Sequence, residues 1–200
     1  MVGVKLADRK IWQLVAFVRS LSSPLEASEG PRVAAVSPVP AERLAAAAED
    51  PDNWLMYSGT FDGNRHSRLS DIDRHSVAAL RLKWVYQFAS GNLPAETTPI
   101  VVDGVMYASE APSNVLALDA ATGRVIWKYT RTIPQNLRSC CWRTNRGVAV
   151  LGTRVYVGTM DAHLLALDRA TGRVVWDVEV AKWSDGFSIT GAPLAANGLI

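Results

Sequence analysis

The eleven residues ALDAATGRVIW, from Ala117 to Trp127, return as ALDRATGRVVW from Ala166 to Trp176. The offset from Trp127 to Trp176 is 49 residues, and Tyr107 to Tyr156 repeats it, so the two copies align without a gap. A gapless period of this size, with several strands per unit, is the pattern of a β-propeller. Each copy reads as strand, tight turn, strand. Leu116, Leu118, Val125 and Trp127 are expected to alternate inward. Asp119 and Thr122 are expected to hydrogen-bond the turn backbone, and Gly123 to supply its positive φ. The tryptophan ending the outer strand is large enough to pack on the neighbouring blade.

The pattern begins a third time at Pro193 to Ile200 (PLAANGLI), where Asn197-Gly198 stands as Asp103-Gly104 does in PIVVDGV. Two blades and part of a third cannot close a ring, and they leave open sheet edges. The fold expected is therefore all-β: an incomplete β-propeller, part of a longer protein, preceded by short N-terminal helices. Residues 1–23 read as a helix. Asp8 is a plausible N-cap, and Ile11, Leu14, Val15, Val18 and Leu21 fall at helical spacing. Residues 24–53 read as a Pro-, Ser- and Ala-rich linker. It ends in a short helix, AERLAAAAED, opened by Pro40 and stopped by Pro51. From Trp54 to Ile200, turn residues punctuate β-rich runs such as LKWVYQF and VVDGVMYAS.

Composition narrows the function classes. The chain is 48% hydrophobic and 20% charged, which excludes a disordered tail. A net charge of +2, from 21 basic and 19 acidic residues, gives no electrostatic footprint for nucleic acid. His66, His75 and His163 are too dispersed for a local metal-ligand motif. No apolar run is long enough for a transmembrane helix. The first segment is not a secretory signal, because Arg19 interrupts its apolar stretch and no small-residue cleavage site follows.

Cys140 and Cys141 are the only cysteines, and they are adjacent. By themselves they admit three readings: two buried thiols, half of a metal site, or a disulfide between neighbours. The last closes a strained eight-membered ring. Consecutive Cα atoms lie about 3.8 Å apart, whereas ordinary disulfides span about 4.4–6.8 Å. Such a bond persists best in an oxidising compartment. On the dipeptide alone the buried-thiol reading leads.

The surroundings carry a resemblance. Residues 54–200 are similar to the pyrroloquinoline quinone (PQQ) dependent alcohol dehydrogenases, which are eight-bladed propellers. The motifs that carry it are the opening segment NWLMYSGTFDGNRHSRLSDIDRHSVAALRLKWVYQF, the stretch AETTPIVVDGVMYAS, Cys-Cys followed after three residues by Asn-Arg-Gly, both tryptophan repeats, and DGFSITGAP. The resemblance implies cofactor-binding roles, residue by residue. Glu96 matches a cofactor-pocket glutamate. Cys140 and Cys141 match a vicinal disulfide stacked on the quinone. Arg146 matches an arginine near the PQQ carboxylates, and Thr190 a threonine reaching the cofactor's polar rim. Asn145 and Gly147 belong to the motif but are read as shaping its turn. The triplet Trp142-Arg143-Thr144 departs from the family's usual residues, and its two bulky members are expected to alter the mouth of the site or the substrate range.

The resemblance also implies calcium or a lanthanide, a catalytic base and a second face for the quinone, all from residues beyond Ile200. No catalytic or metal-ligating residue is assigned here, and the chain is not expected to turn over alone. A small alcohol as substrate, cytochrome c as electron acceptor and a periplasmic location follow from the same resemblance. Residues 1–23 keep two readings. One is an ordinary amphipathic helix. The other is the tail of a c-type cytochrome with Met1 at the axial position, whose haem c would attach upstream, since no CxxCH is present. The rivals to the enzyme reading are a non-catalytic propeller scaffold, such as an outer-membrane assembly lipoprotein, and an inactive gene fragment.

Overall fold

A computed structural model describes residues 36–89, 93, 95–137 and 143–200. The helix read at residues 1–23, the linker up to residue 35, and Cys140, Cys141 and Trp142 lie outside the described residues. The 49-residue repeat becomes two four-stranded antiparallel sheets. The first contains β1 (Ile100–Val102), β2 (Val105–Glu110), β3 (Asn114–Asp119) and β4 (Val125–Tyr129). The second contains β5 (Ala149–Leu151), β6 (Arg154–Gly158), β7 (His163–Asp168) and β8 (Val174–Glu179). In both, neighbours in sequence are neighbours in space, the meander of a propeller blade.

The turns form as their chemistry dictates. Asp119 Oδ1 accepts hydrogen bonds from the backbone N–H of Ala121 at 3.1 Å and of Thr122 at 2.8 Å, and from the Thr122 hydroxyl at 2.8 Å. Asp168 does the same for Thr171 in the second blade. Gly123 and Gly172 take φ of +72° and +71°. The third copy is confirmed locally: Asn197-Gly198 (φ +50° and +78°) reproduces Asp103-Gly104 (φ +52° and +79°).

Tryptophan joins one blade to the next. The Trp127 indole N–H donates to the Arg169 carbonyl at 2.8 Å, and its ring lies flat on Gly172 of the second blade. A Cβ on Gly172 would come within 2.5 Å of that ring, so only glycine fits. Trp84 repeats the arrangement one step earlier, donating to the Ala120 carbonyl at 3.1 Å and covering Gly123. Trp176, next in the series, stays 37% exposed beside the open face of β8.

Two expectations are corrected. Val125 does not point inward; it is 44% exposed. A register shift between Ala117 and Leu118 sets Ala117 opposite Trp127 and Leu118 opposite Val125, so Ile126 is the extra residue and the alternation breaks. On β3, Val115 and Ala117 are as buried as Leu116 and Leu118, because the strand is covered on both faces. The run LKWVYQF keeps a period-two alternation of exposure but is not a strand, having no ladder partner among the described residues.

The helix opened by Pro40 is one α-helical turn, α1 (Ala41–Ala45), followed by a 3-10 turn at Ala47–Glu49. Packing extends N-terminal of Trp54. Val39 and Leu44 belong to the same core as Ile100, Tyr107, Trp127 and Leu165. Val39 exchanges two backbone hydrogen bonds with Gly152, at 2.9 and 2.7 Å. Arg169, almost fully buried, donates to the Ser37 carbonyl at 2.8 Å and stacks over the Tyr107 ring.

The meander also fixes two ends. The β1–β2, β3–β4, β5–β6 and β7–β8 turns share one end with Val39 and α1. The β2–β3 and β6–β7 turns share the other, along with the starts of β1 and β5.

Candidate functional site

At that second end, the segments leading into the inner strands run side by side. Thr98 forms a parallel bridge with Gly147. The Thr98 N–H donates to the Arg146 carbonyl at 3.0 Å, and the Arg146 N–H donates to the Thr190 carbonyl at 3.0 Å. Three sequence repeats thus meet through backbone hydrogen bonds at one level. Gly147 permits this approach. Its φ is +143°, and a Cβ there would sit 3.1 Å from the Thr98 carbonyl and 3.4 Å from the Ala192 methyl.

The ladder brings together three residues that are distant in sequence. Glu96 Oε2 lies 2.9 Å from Arg146 Nη2. Both side chains are partly exposed, so the pair is a surface-type salt bridge of small energetic value, and its significance is geometric. It fixes one edge of the guanidinium fork. No other side chain among the described residues pairs with that guanidinium. Thr190 is half-buried and joins through its backbone. Cys140 and Cys141 lie outside the described residues, so their place at the site rests on sequence alone.

Asn145 behaves as a turn-former. It is buried, its amide donates to the Gly158 carbonyl at 2.7 Å, and its Oδ1 accepts from the Gly147 N–H at 3.1 Å. Of the bulky triplet, Arg143 is half-buried and donates to the Gln135 carbonyl at 3.2 Å. Thr144 is fully buried, and its hydroxyl has no hydrogen-bond partner among the described residues.

Two features were not legible in the sequence. Arg131 makes a bidentate pair with Asp161, at 2.7 and 2.7 Å, and a further bond at 2.9 Å to Asp177, which also meets His163 Nδ1 at 2.6 Å. Burial pushes the Asp161 carboxyl up, but hydrogen bonds from Arg131 and Thr159 outweigh this and hold it below the usual range. The members come from two blades and are 30 to 46 residues from Arg131. No local spacing could reveal them. The second feature is a cavity of about 420 Å³ between Met56–Gly63 and Gly191–Leu194, with Arg146 on its wall.

Comparison with known proteins fits this geometry. The family model for the PQQ glucose/ethanol/alcohol dehydrogenase β-propeller domain matches residues 54–178. The chain belongs to that family. It is 42% identical over 164 residues to the quinohemoprotein alcohol dehydrogenase ADH-IIG of Pseudomonas putida, covering 79% of this chain and 22% of that protein. It is 41% identical over 122 residues to the dehydrogenase subunit of the quinone-type alcohol dehydrogenase of Gluconacetobacter polyoxogenes, covering 60% and 16%. The solved structure of ADHIIG from Pseudomonas putida HK5 superposes with a TM-score of 0.75 at 43% identity, over 82% of this chain and 25% of that one. A europium-containing methanol dehydrogenase gives 0.71 at 33% identity, over 78% and 28%. The chain spans only 22% and 16% of the length of these two curated relatives.

For this PQQ-family propeller, the donor set fits the cofactor. A guanidinium held along one edge, beside a cavity, suits a planar ligand bearing carboxylates, because the fork pairs with carboxylate in its own plane. Among the described residues there is no cluster of three or more metal-ligating side chains, and no helix long and apolar enough to cross a membrane.

Proposed function

We propose that the chain is part of a periplasmic PQQ-dependent alcohol dehydrogenase, and that it supplies one wall of the cofactor site. The observation that supports this most is the meeting of Glu96, Arg146 and Thr190, drawn from three repeats, at one end of the propeller. When bound, PQQ supplies a two-electron acceptor for hydride from a small alcohol. In this reading Arg146 pairs with a cofactor carboxylate, while Glu96 holds the guanidinium in plane and the Thr190 hydroxyl reaches the polar rim. Cys140 and Cys141, bonded to each other, give the ring a flat floor. Calcium or a lanthanide, and the catalytic base, come from residues other than those assigned here. Electrons pass to cytochrome c or to a haem c domain of the same protein.

The test is PQQ binding by the full-length protein that carries this chain, with calcium present. Quinone absorbance should travel with the protein through gel filtration, and Arg146→Gln should weaken its retention. Protein that emerges without quinone under saturating PQQ would remove the basis of the reading.

A further inference from the structure

The opening segment climbs the inner side of the first blade. Trp54 bridges Val101 in antiparallel fashion, its N–H donating to the Val101 carbonyl at 2.9 Å and its carbonyl accepting at 3.0 Å. Because β1 is the first strand of its sheet, this contact lies on the blade's inner edge. The antiparallel sense carries the chain from the end that holds Asn53 and Asp103 toward the end that holds Glu96 and Arg146. Leu55 and Met56 are buried on the way. The chain then turns at Gly59 (φ +83°), whose N–H donates to the Met56 carbonyl at 2.9 Å. The Trp54 ring packs so closely on Gly59 that a Cβ there would lie 2.9 Å from it. The turn is therefore built rigidly rather than hung loosely.

What this turn faces is the cavity of about 420 Å³ that Arg146 shares. Tyr57, Ser58, Thr60 and Phe61 line it from one side and Gly191 to Leu194 from the other. The Thr60 hydroxyl is engaged by Asp62, and the Tyr57 ring is stacked under the Arg65 guanidinium. Ser58 presents a half-buried hydroxyl with no hydrogen-bond partner among the described residues. A cation, an uncommitted hydroxyl and apolar walls around one cavity suit a flat anionic ring system.

We infer that the Met56–Gly63 turn is a wall of the quinone chamber, and that Ser58 is a binding residue that donates its hydroxyl to the anionic edge Arg146 pairs with. This rests on the reading above. It adds a contact from the N-terminal segment, which contributes no strand to either described blade.

The test uses the full-length protein, with PQQ and calcium as the probe and equilibrium dialysis with quinone absorbance as the readout. Ser58→Ala should weaken binding about two- to tenfold, the equivalent of one hydrogen bond. Ser58→Phe, which adds an aromatic ring to the cavity wall, should weaken it by more than tenfold without lowering the apo-protein's Tm. Arg146→Gln is the reference. If Arg146→Gln weakens binding while both Ser58 variants bind as wild type, the inference is overturned and the functional reading stands. If Arg146→Gln also binds as wild type, the reading falls and takes the inference with it. Should Ser58→Phe fail to fold, Ser58→Ala decides alone, and an unchanged affinity overturns the inference.

Discussion

The close packing of indole on glycine can be tested by adding one methyl group. Gly172→Ala combines two costs. At φ +71° an L-residue is strained, by about 1–2 kcal/mol. The new Cβ would also lie 2.5 Å from the Trp127 ring, which is held at its far side by the 2.8 Å bond to Arg169 and cannot swing away freely. Forcing a methyl group into such packing adds about 1–3 kcal/mol. Gly104→Ala isolates the first cost, since its φ is +79° and nothing lies within 4 Å of its Cβ. Urea unfolding of both variants, followed by far-UV circular dichroism, should show an unchanged m and a lower midpoint. Gly172→Ala should lose roughly 1–3 kcal/mol more than Gly104→Ala. Equal losses would mean that the ring does not press on Gly172, and the account of how the blades are joined would be wrong.

Other outcomes follow from the same contacts. Trp127→Phe should cost at least about 1–3 kcal/mol, because the buried Arg169 carbonyl loses its indole donor, and thermal melts will measure it. Thr144→Val should raise stability by roughly 1–3 kcal/mol, since it removes a buried hydroxyl without a partner among the described residues; a lower Tm would show that the hydroxyl is engaged. Arg131→Ala should cost about 3–5 kcal/mol by removing the bidentate partner of the largely buried Asp161 carboxylate, as read from chemical unfolding. Asp161 is held below the usual carboxylate range, so its contribution is present above an unfolded pKa of about 4 and is lost as pH falls through its lower folded value. A pH series of unfolding midpoints should show that acid loss in the wild type and a shallower one in Asp161→Asn.

The propeller is legible in the amino-acid sequence because its signal is local and repeated. The Asp-x-x-Thr-Gly turn bonds to its own backbone within four residues, so the sequence suffices to specify it. The Asn145 side chain accepting from the Gly147 N–H is equally local, whereas its bond to Gly158 and the close approach of Gly147 to Thr98 are not. Glu96, Arg146 and Thr190 stand out through family resemblance, and nothing in their spacing implies that they touch.

Their meeting is decided by the parallel run of inner strands from successive repeats, which makes contacts between residues 44 and 50 positions apart. The Arg131 network, the bulge that turns Val125 outward, the burial of Thr144 and the path of Trp54 along β1 are likewise hidden from the sequence. Each depends on which surface the next blade or the returning chain happens to cover. A sequence states a residue's own chemistry and that of its near neighbours, but which distant groups share its surroundings is settled only when the sheets pack.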